Sequence, residues 1–200
     1  MSIIVEHDKR RKEILEKALD VFMDEGFEDA TFQKIADRCS IFRTTLYIYF
    51  KNKKEIFNYS IKQLLADVEE DILRIRNDTS LDSASKITRV LFNIVDRLET
   101  NRRLLSVILD YLLHLSMSGA NPEIRVRRRT VKLRHILASM VIEGVKRGEL
   151  SPVNIKAADD LLYGLIESAI FRLVILKRDS AGELKKAMEL AVRGWQARGI

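Results

Sequence analysis

Only two prolines and eight glycines punctuate this 200-residue chain, which leaves long stretches free of breakers. Folding as a sandwich of short strands would need a turn signal about every 8–12 residues. Apolar residues recur instead at three- and four-residue spacing, and no strand-like alternation runs far. The predicted class is therefore all-α. Ile14, Leu15, Ala18, Leu19 and Phe22 form one stripe on a helix expected from Asp8 to Glu25, closed by Gly26. A short helix capped by Thr31 follows, burying Ile35, Ala36 and Cys39. A tight turn at Ser40-Ile41 leads to a third helix from Phe42 to Tyr49, with Leu46 and Phe50 inward. Longer helices are expected at Lys53–Arg76, Asp82–Glu99, Arg102–Met117, Pro122–Arg147, Ile155–Lys177 and Gly182–Ala197.

Charge narrows the function classes. The net charge of +6 permits a polyanionic partner. Its distribution says more: between Thr31 and Lys54 stand Lys34, Arg38, Arg43, Lys51, Lys53 and Lys54 against the one anion Asp37. The preceding segment, with Asp20, Asp24, Glu25, Glu28 and Asp29, is acidic. Such separation of signs predicts one positive face. Cys39 is a lone cysteine and can form no internal disulfide, which fits a cytoplasmic protein. The apolar start Met1–Val5 is too short for a signal peptide, and Leu161–Leu176 carries Glu167 and Arg172, so no membrane span is expected.

Two short helices at a tight turn, the second rich in Arg, Thr and Tyr, suit the major groove of a duplex. Arg43 can bond guanine edges, and Thr44 and Thr45 can meet a base, a thymine methyl or a phosphate. Tyr47 and Tyr49 carry hydroxyls suited to phosphate oxygens, Thr31 can donate likewise, and Lys53 offers an ammonium at a helix start.

The run from Thr31-Phe32-Gln33-Lys34-Ile35-Ala36 through Ser40-Ile41-Phe42-Arg43-Thr44-Thr45-Leu46-Tyr47-Ile48-Tyr49-Phe50 to Lys51-Asn52-Lys53-Lys54-Glu55-Ile56-Phe57 resembles the signature of the TetR family of regulators. Phe22-x-x-x-Gly26-Phe27 and Arg147-Gly148-Glu149-Leu150 fit as well. The specific resemblance spans Ile14 to Phe57. It implies a helix-turn-helix DNA-binding domain over residues 1–53, and an effector-binding, dimerising helical domain over 54–200. Residues matching Gln33, Arg43, Thr44 and Thr45 would face bases, and those matching Thr31, Tyr47, Tyr49 and Lys53 would hold phosphates. The implied partners are double-stranded operator DNA, a second copy joined through 155–177 and 182–197, and an unknown small-molecule effector. The implied activity is that of a repressor released from a palindromic operator. Two positions depart from the pattern: Ser40 stands where the turn usually has Gly, and Phe42 where a small capping residue is usual.

Phe92, Tyr111, His114, Met117, Met140, Tyr163, Phe171 and Arg172 are candidates for the lining of an apolar effector pocket, though each taken singly reads first as packing. Trp195 could anchor a dimer interface or pack in the core. The basic run Arg125–Arg134 could touch DNA, an acidic ligand or an acidic partner, or be the solvated face of a helix. An interaction module using that helix, and an all-α enzyme, are the competing readings. Enzymatic chemistry finds little support, because His7, His114 and His135 lack metal-ligand spacing and no phosphate loop or nucleophile elbow is present. No catalytic residue, metal or cofactor is expected.

Overall fold

The structure, a computed structural model, describes residues 2–178 and 180–197, the side chains at 2–5, 64, 125 and 129 aside. Its helices are α1 (Ser2–Asp29), α2 (Phe32–Arg38), α3 (Arg43–Tyr49), α4 (Lys53–Asn77), α5 (Ser83–Thr100), α6 (Arg102–Met117), α7 (Pro122–Lys146), α8 (Ile155–Ile170) and α9 (Gly182–Arg193). A π-helical turn, Phe171–Ile175, continues α8. The chain divides into two units, Met1–Ala66 with Arg103–Pro122, and Asp67–Arg102 with Glu123–Ile200. The domain boundary expected after residue 53 falls at the first residue of α4, within the first of these units.

The first unit is built on the stripe expected for α1. Ile14, Ala18 and Phe22 are buried with Ile35 and Ala36 of α2, Leu46 of α3, and Ile56 and Phe57 of α4. Leu104, Val107 and Tyr111 of α6 join the same core. Its centre is aromatic. Phe57 meets Phe22 edge-on at 5.0 Å and Tyr111 at 5.2 Å, while Phe27 lies 4.5 Å from Tyr111. Such ring pairs add to what area burial alone supplies. The helix expected to close at Gly26 does break there, yet a further turn carries it to Asp29. Gly26 has φ 81° and ψ 170°, a conformation open essentially to glycine alone.

The second unit packs the inner stripes of α5, α7, α8 and α9 together. Ile87, Leu91, Leu137, Val141, Leu162, Ile166, Leu184 and Met188 are buried at its centre. The start of α5 is held from two sides. Asp82 accepts the Ser85 amide at 2.7 Å, and Glu149 accepts the Ser83 amide at 2.7 Å. These bonds hold both carboxyls below their ordinary range, with the Ser85 amide the main cause for Asp82 and Ser83 for Glu149. Asp71 of α4 is buried between Arg97, which bonds it through two nitrogens, and Arg74 at 2.5 Å. The Arg97 guanidinium keeps the Asp71 carboxyl low. Gly144 lets the chain close on itself, since a Cβ there would stand 2.6 Å from Leu150 Cδ1.

Two helix ends fall short of expectation. The helix expected to reach Lys177 widens at Phe171 into the π turn and stops, with Lys177 at φ 50°. The helix expected to reach Ala197 ends at Arg193, because the residues beyond pair with the turn after α7. Gly148 (φ 73°) closes α7, as expected. Leu150 then forms an antiparallel bridge with Gln196, Ser151 N donating to Trp195 O at 2.7 Å and Ala197 N to Glu149 O at 3.1 Å. Trp195 thus lies past the last helix and packs against the core of its own unit.

Candidate nucleic-acid interface

The α2–α3 corner is set by backbone bonds. Thr31 caps α2 by accepting the Lys34 amide at 3.2 Å, and its hydroxyl keeps its proton to donate. Ser40 N donates to Asp37 O at 3.0 Å and Ile41 N to Ala36 O at 3.1 Å, closing the turn. Ser40 sits at φ 55°, so the non-glycine residue takes the left-handed conformation at a cost of about 1–2 kcal/mol. Phe42 occupies the N-cap of α3 and makes no side-chain cap bond. Leu46 is fully buried beneath, so the rest of the short helix presents its outer face.

On that face Arg43, Thr44, Tyr47 and Ile48 are exposed and Thr45 is half-buried. Arg43 donates to the Tyr47 hydroxyl at 3.1 Å and lies 5.7 Å from its ring centroid. The Tyr47 ring leans on Phe32 at 4.6 Å but remains 50% exposed. Gln33 is exposed on α2, its amide donating to Asp37 at 2.7 Å. The start of α4 is locked reciprocally: Asn52 Oδ1 accepts the Glu55 amide at 2.9 Å, and Glu55 accepts the Lys51 amide at 2.6 Å.

Two residues expected to hold phosphates are more engaged. Tyr49 is half-buried and stacks on His7 at 4.7 Å. Lys53 Nζ donates to the carbonyls of Phe27 (2.9 Å) and Glu28 (2.7 Å), tying α4 to the turn beyond Gly26. An ammonium has three protons, so one donor direction is left over. The expected positive face is narrower than the sequence suggested. Lys34 folds back on Glu25 at 2.5 Å and Arg38 on Asp24 at 3.0 Å, so both neutralise the acidic end of α1. Arg38, and Arg103 after it, hold the Asp24 carboxyl below its usual range. Arg43, Lys51 and Lys54 are the exposed cations left at the edge of α3 and the start of α4.

The eight pocket candidates divide between the two units. Tyr111, His114 and Met117 belong to the first unit, the other five to the second. Tyr111 is buried in the aromatic core, His114 is exposed 3.6 Å from Glu28, and Met117 is 88% exposed. Met140 is a core residue, Phe92 and Tyr163 are half-buried, and Phe171 and Arg172 are exposed. Tyr163 instead lies 5.0 Å beneath the Arg134 guanidinium, which pairs with Asp159 at 2.6 Å and with Asp160. Elsewhere in the basic run Lys132 pairs with Glu69 at 2.6 Å, while the side chains of Arg125 and Arg129 lie outside the described residues. Arg127 and Arg128 line an open cavity of about 330 Å³ with Glu123 and Ile124. Sequence reasoning said nothing of the exposure of Phe42 and Ile48, since it assigned only Leu46 and Phe50 to the inner side.

A short, capped corner that turns a hydroxyl- and guanidinium-bearing helix outward defines a helix-turn-helix DNA-binding protein. Residues 14–59 match the family described as "Bacterial regulatory proteins, tetR family". Over this segment the chain carries the DNA-binding domain of TetR-family transcriptional regulators. It is 24% identical over 191 residues to the fatty acid metabolism regulator protein of Bacillus subtilis, covering 91% of this chain and 93% of that protein. The fold is shared with a TetR transcription regulator from Haloarcula marismortui (18% identity, 94% of this chain and 97% of that one, TM-score 0.79). It is shared also with FadR from Bacillus subtilis, solved in complex with stearoyl-CoA (21% identity, 94% and 98% coverage, TM-score 0.71). No described helix is long and apolar enough to cross a membrane.

Proposed function

We propose that this chain is a cytoplasmic homodimeric repressor, not an enzyme, that grips a palindromic operator through α3 and is released by a long-chain fatty acyl-CoA. The observation that carries the DNA reading is the outer face of α3, where Arg43 is pre-set by the Tyr47 hydroxyl. Gln33, Arg43, Thr44 and Thr45 read bases; Thr31, Tyr47, Tyr49 and Lys53 position the backbone. On this reading residues 1–53 are the DNA-reading part and 54–200 the sensing and pairing part. Dimerisation is supported by Leu161, Phe171, Ile175, Leu176 and Leu190, which leave apolar surface exposed on α8, on the π turn and the residue after it, and on α9. Two recognition helices about 34 Å apart then meet successive major grooves.

The relatives named for fatty acid metabolism, one holding stearoyl-CoA, support the effector class. The guanidinium groups of Arg127 and Arg128 beside their cavity add suitable phosphate partners. The ligand can shift the equilibrium only by its preference for the released state. The test is fluorescence anisotropy on a duplex enriched from a random library by the full-length protein. Arg43→Ala is expected to cost about 1–3 kcal/mol and relax sequence choice, and Lys53→Ala to weaken all duplexes alike. Stearoyl-CoA is expected to dissociate the complex, and free CoA or stearate alone to leave it. A complex indifferent to stearoyl-CoA sinks the effector assignment, and a library without enrichment sinks the DNA assignment.

A further inference from the structure

Phe42 is costly where it stands. It is 82% exposed, second only to Met117 among the large apolar residues described. It occupies the N-cap of α3, where a Ser, Thr, Asp or Asn would bond an orphan amide and Phe bonds none. Its neighbour Ile41, by contrast, turns toward the first unit's core. Two local penalties at one residue, with no return in the folded chain, point to a return made elsewhere.

The surroundings say where. Phe42 immediately precedes Arg43, the guanidinium set by Tyr47, on the edge that the DNA reading turns toward base edges. A phenyl ring offers nothing to a phosphate. In the major groove the one apolar feature of a base pair is the C5-methyl of thymine. We propose that Phe42 is a specificity residue, and that each operator half-site carries a thymine whose methyl group packs on its ring next to the base pair read by Arg43. This rests on the DNA reading above and adds to it an apolar element at a fixed place.

The experiment uses the full chain and the enriched duplex, with each thymine replaced in turn by uracil, which pairs alike and lacks only the methyl. One symmetric pair of positions is expected to weaken binding about fourfold per half-site, the worth of a single buried methyl. In Phe42→Ser that uracil penalty vanishes. Because serine caps the helix, the free variant is expected to melt about 2–4 °C higher than the wild type, so its loss of discrimination is not a loss of fold. No uracil penalty at any thymine overturns the assignment, as does a penalty that Phe42→Ser retains. An equal loss on thymine and uracil duplexes makes the ring a backbone contact and overturns it too. A library with no enriched duplex overturns the DNA reading and this assignment together, whereas an enriched duplex without the penalty overturns this one alone.

Discussion

The outer face of α3 and the outer faces of α8 and α9 are both exposed, yet their polar side chains and their bare apolar ones are put to different use. Around α3 three polar side chains are wired locally: Arg43 to Tyr47, Gln33 to Asp37, Lys53 to two carbonyls. On α8 and α9 the exposed residues include Leu161 and Leu190, the latter 74% exposed, and these two side chains offer only hydrocarbon. The contrast follows from the partner each face suits. A polar ligand is read by direction, so its donors must be aimed before it arrives. An apolar partner is recognised by area, which needs no aiming.

The largest effect is expected where that second face is charged. If the proposed dimer forms through this face, Leu161→Arg with Leu190→Arg should give a monomer by light scattering and lower operator affinity about a hundredfold or more, as one of two linked contacts is lost. A double variant that stays dimeric would break the comparison. Next comes the first unit's core: Phe57→Ala should cost about 3–5 kcal/mol in urea unfolding, because Phe22 and Tyr111 are left facing a void. Tyr47→Phe, on the wired edge, should change stability by less than about 0.5 kcal/mol while weakening every duplex. Gly26→Ala sharpens the same division, since a side chain forced to φ 81° should cost about 1–3 kcal/mol.

The smallest effect expected is on acid sensitivity. Asp71 titrates lower in the folded chain than its ordinary 3.8 because of Arg97. Its contribution is therefore present above that value and is lost as pH falls through the lower, folded one. Asp71→Asn should flatten the fall of stability below about pH 4. The slope that remains belongs to carboxylates such as Asp82 and Glu149 at the head of α5.

The first unit was the more legible in the sequence. Ile14, Ala18 and Phe22, then Ile35 and Ala36, then Leu46 and Phe50 follow helical spacing, and each is buried. The left-handed turn at Ser40 and the uncapped Phe42 were also readable, because their costs are local. What escaped was whatever depends on distant residues. Tyr111 reads as a pocket residue, yet it sits in the aromatic core with Phe27, a neighbour far away in sequence. Lys34 and Arg38 read as part of a positive face, although Glu25 and Asp24 claim them. The end of α9 was misjudged for the same reason, its competitor being a turn before α8.

That turn gives the last residues an outsized role. The amide of Ser151 depends on the carbonyl of Trp195, and the carbonyl of Glu149 on the amide of Ala197. Glu149 in turn braces the first residue of α5. A stop codon at 194 would thus strip a strap from the joint between α7 and α8 and loosen the head of a helix that the lost segment never touches in sequence. Expression designs that trim the end of this chain as dispensable would be cutting into its frame.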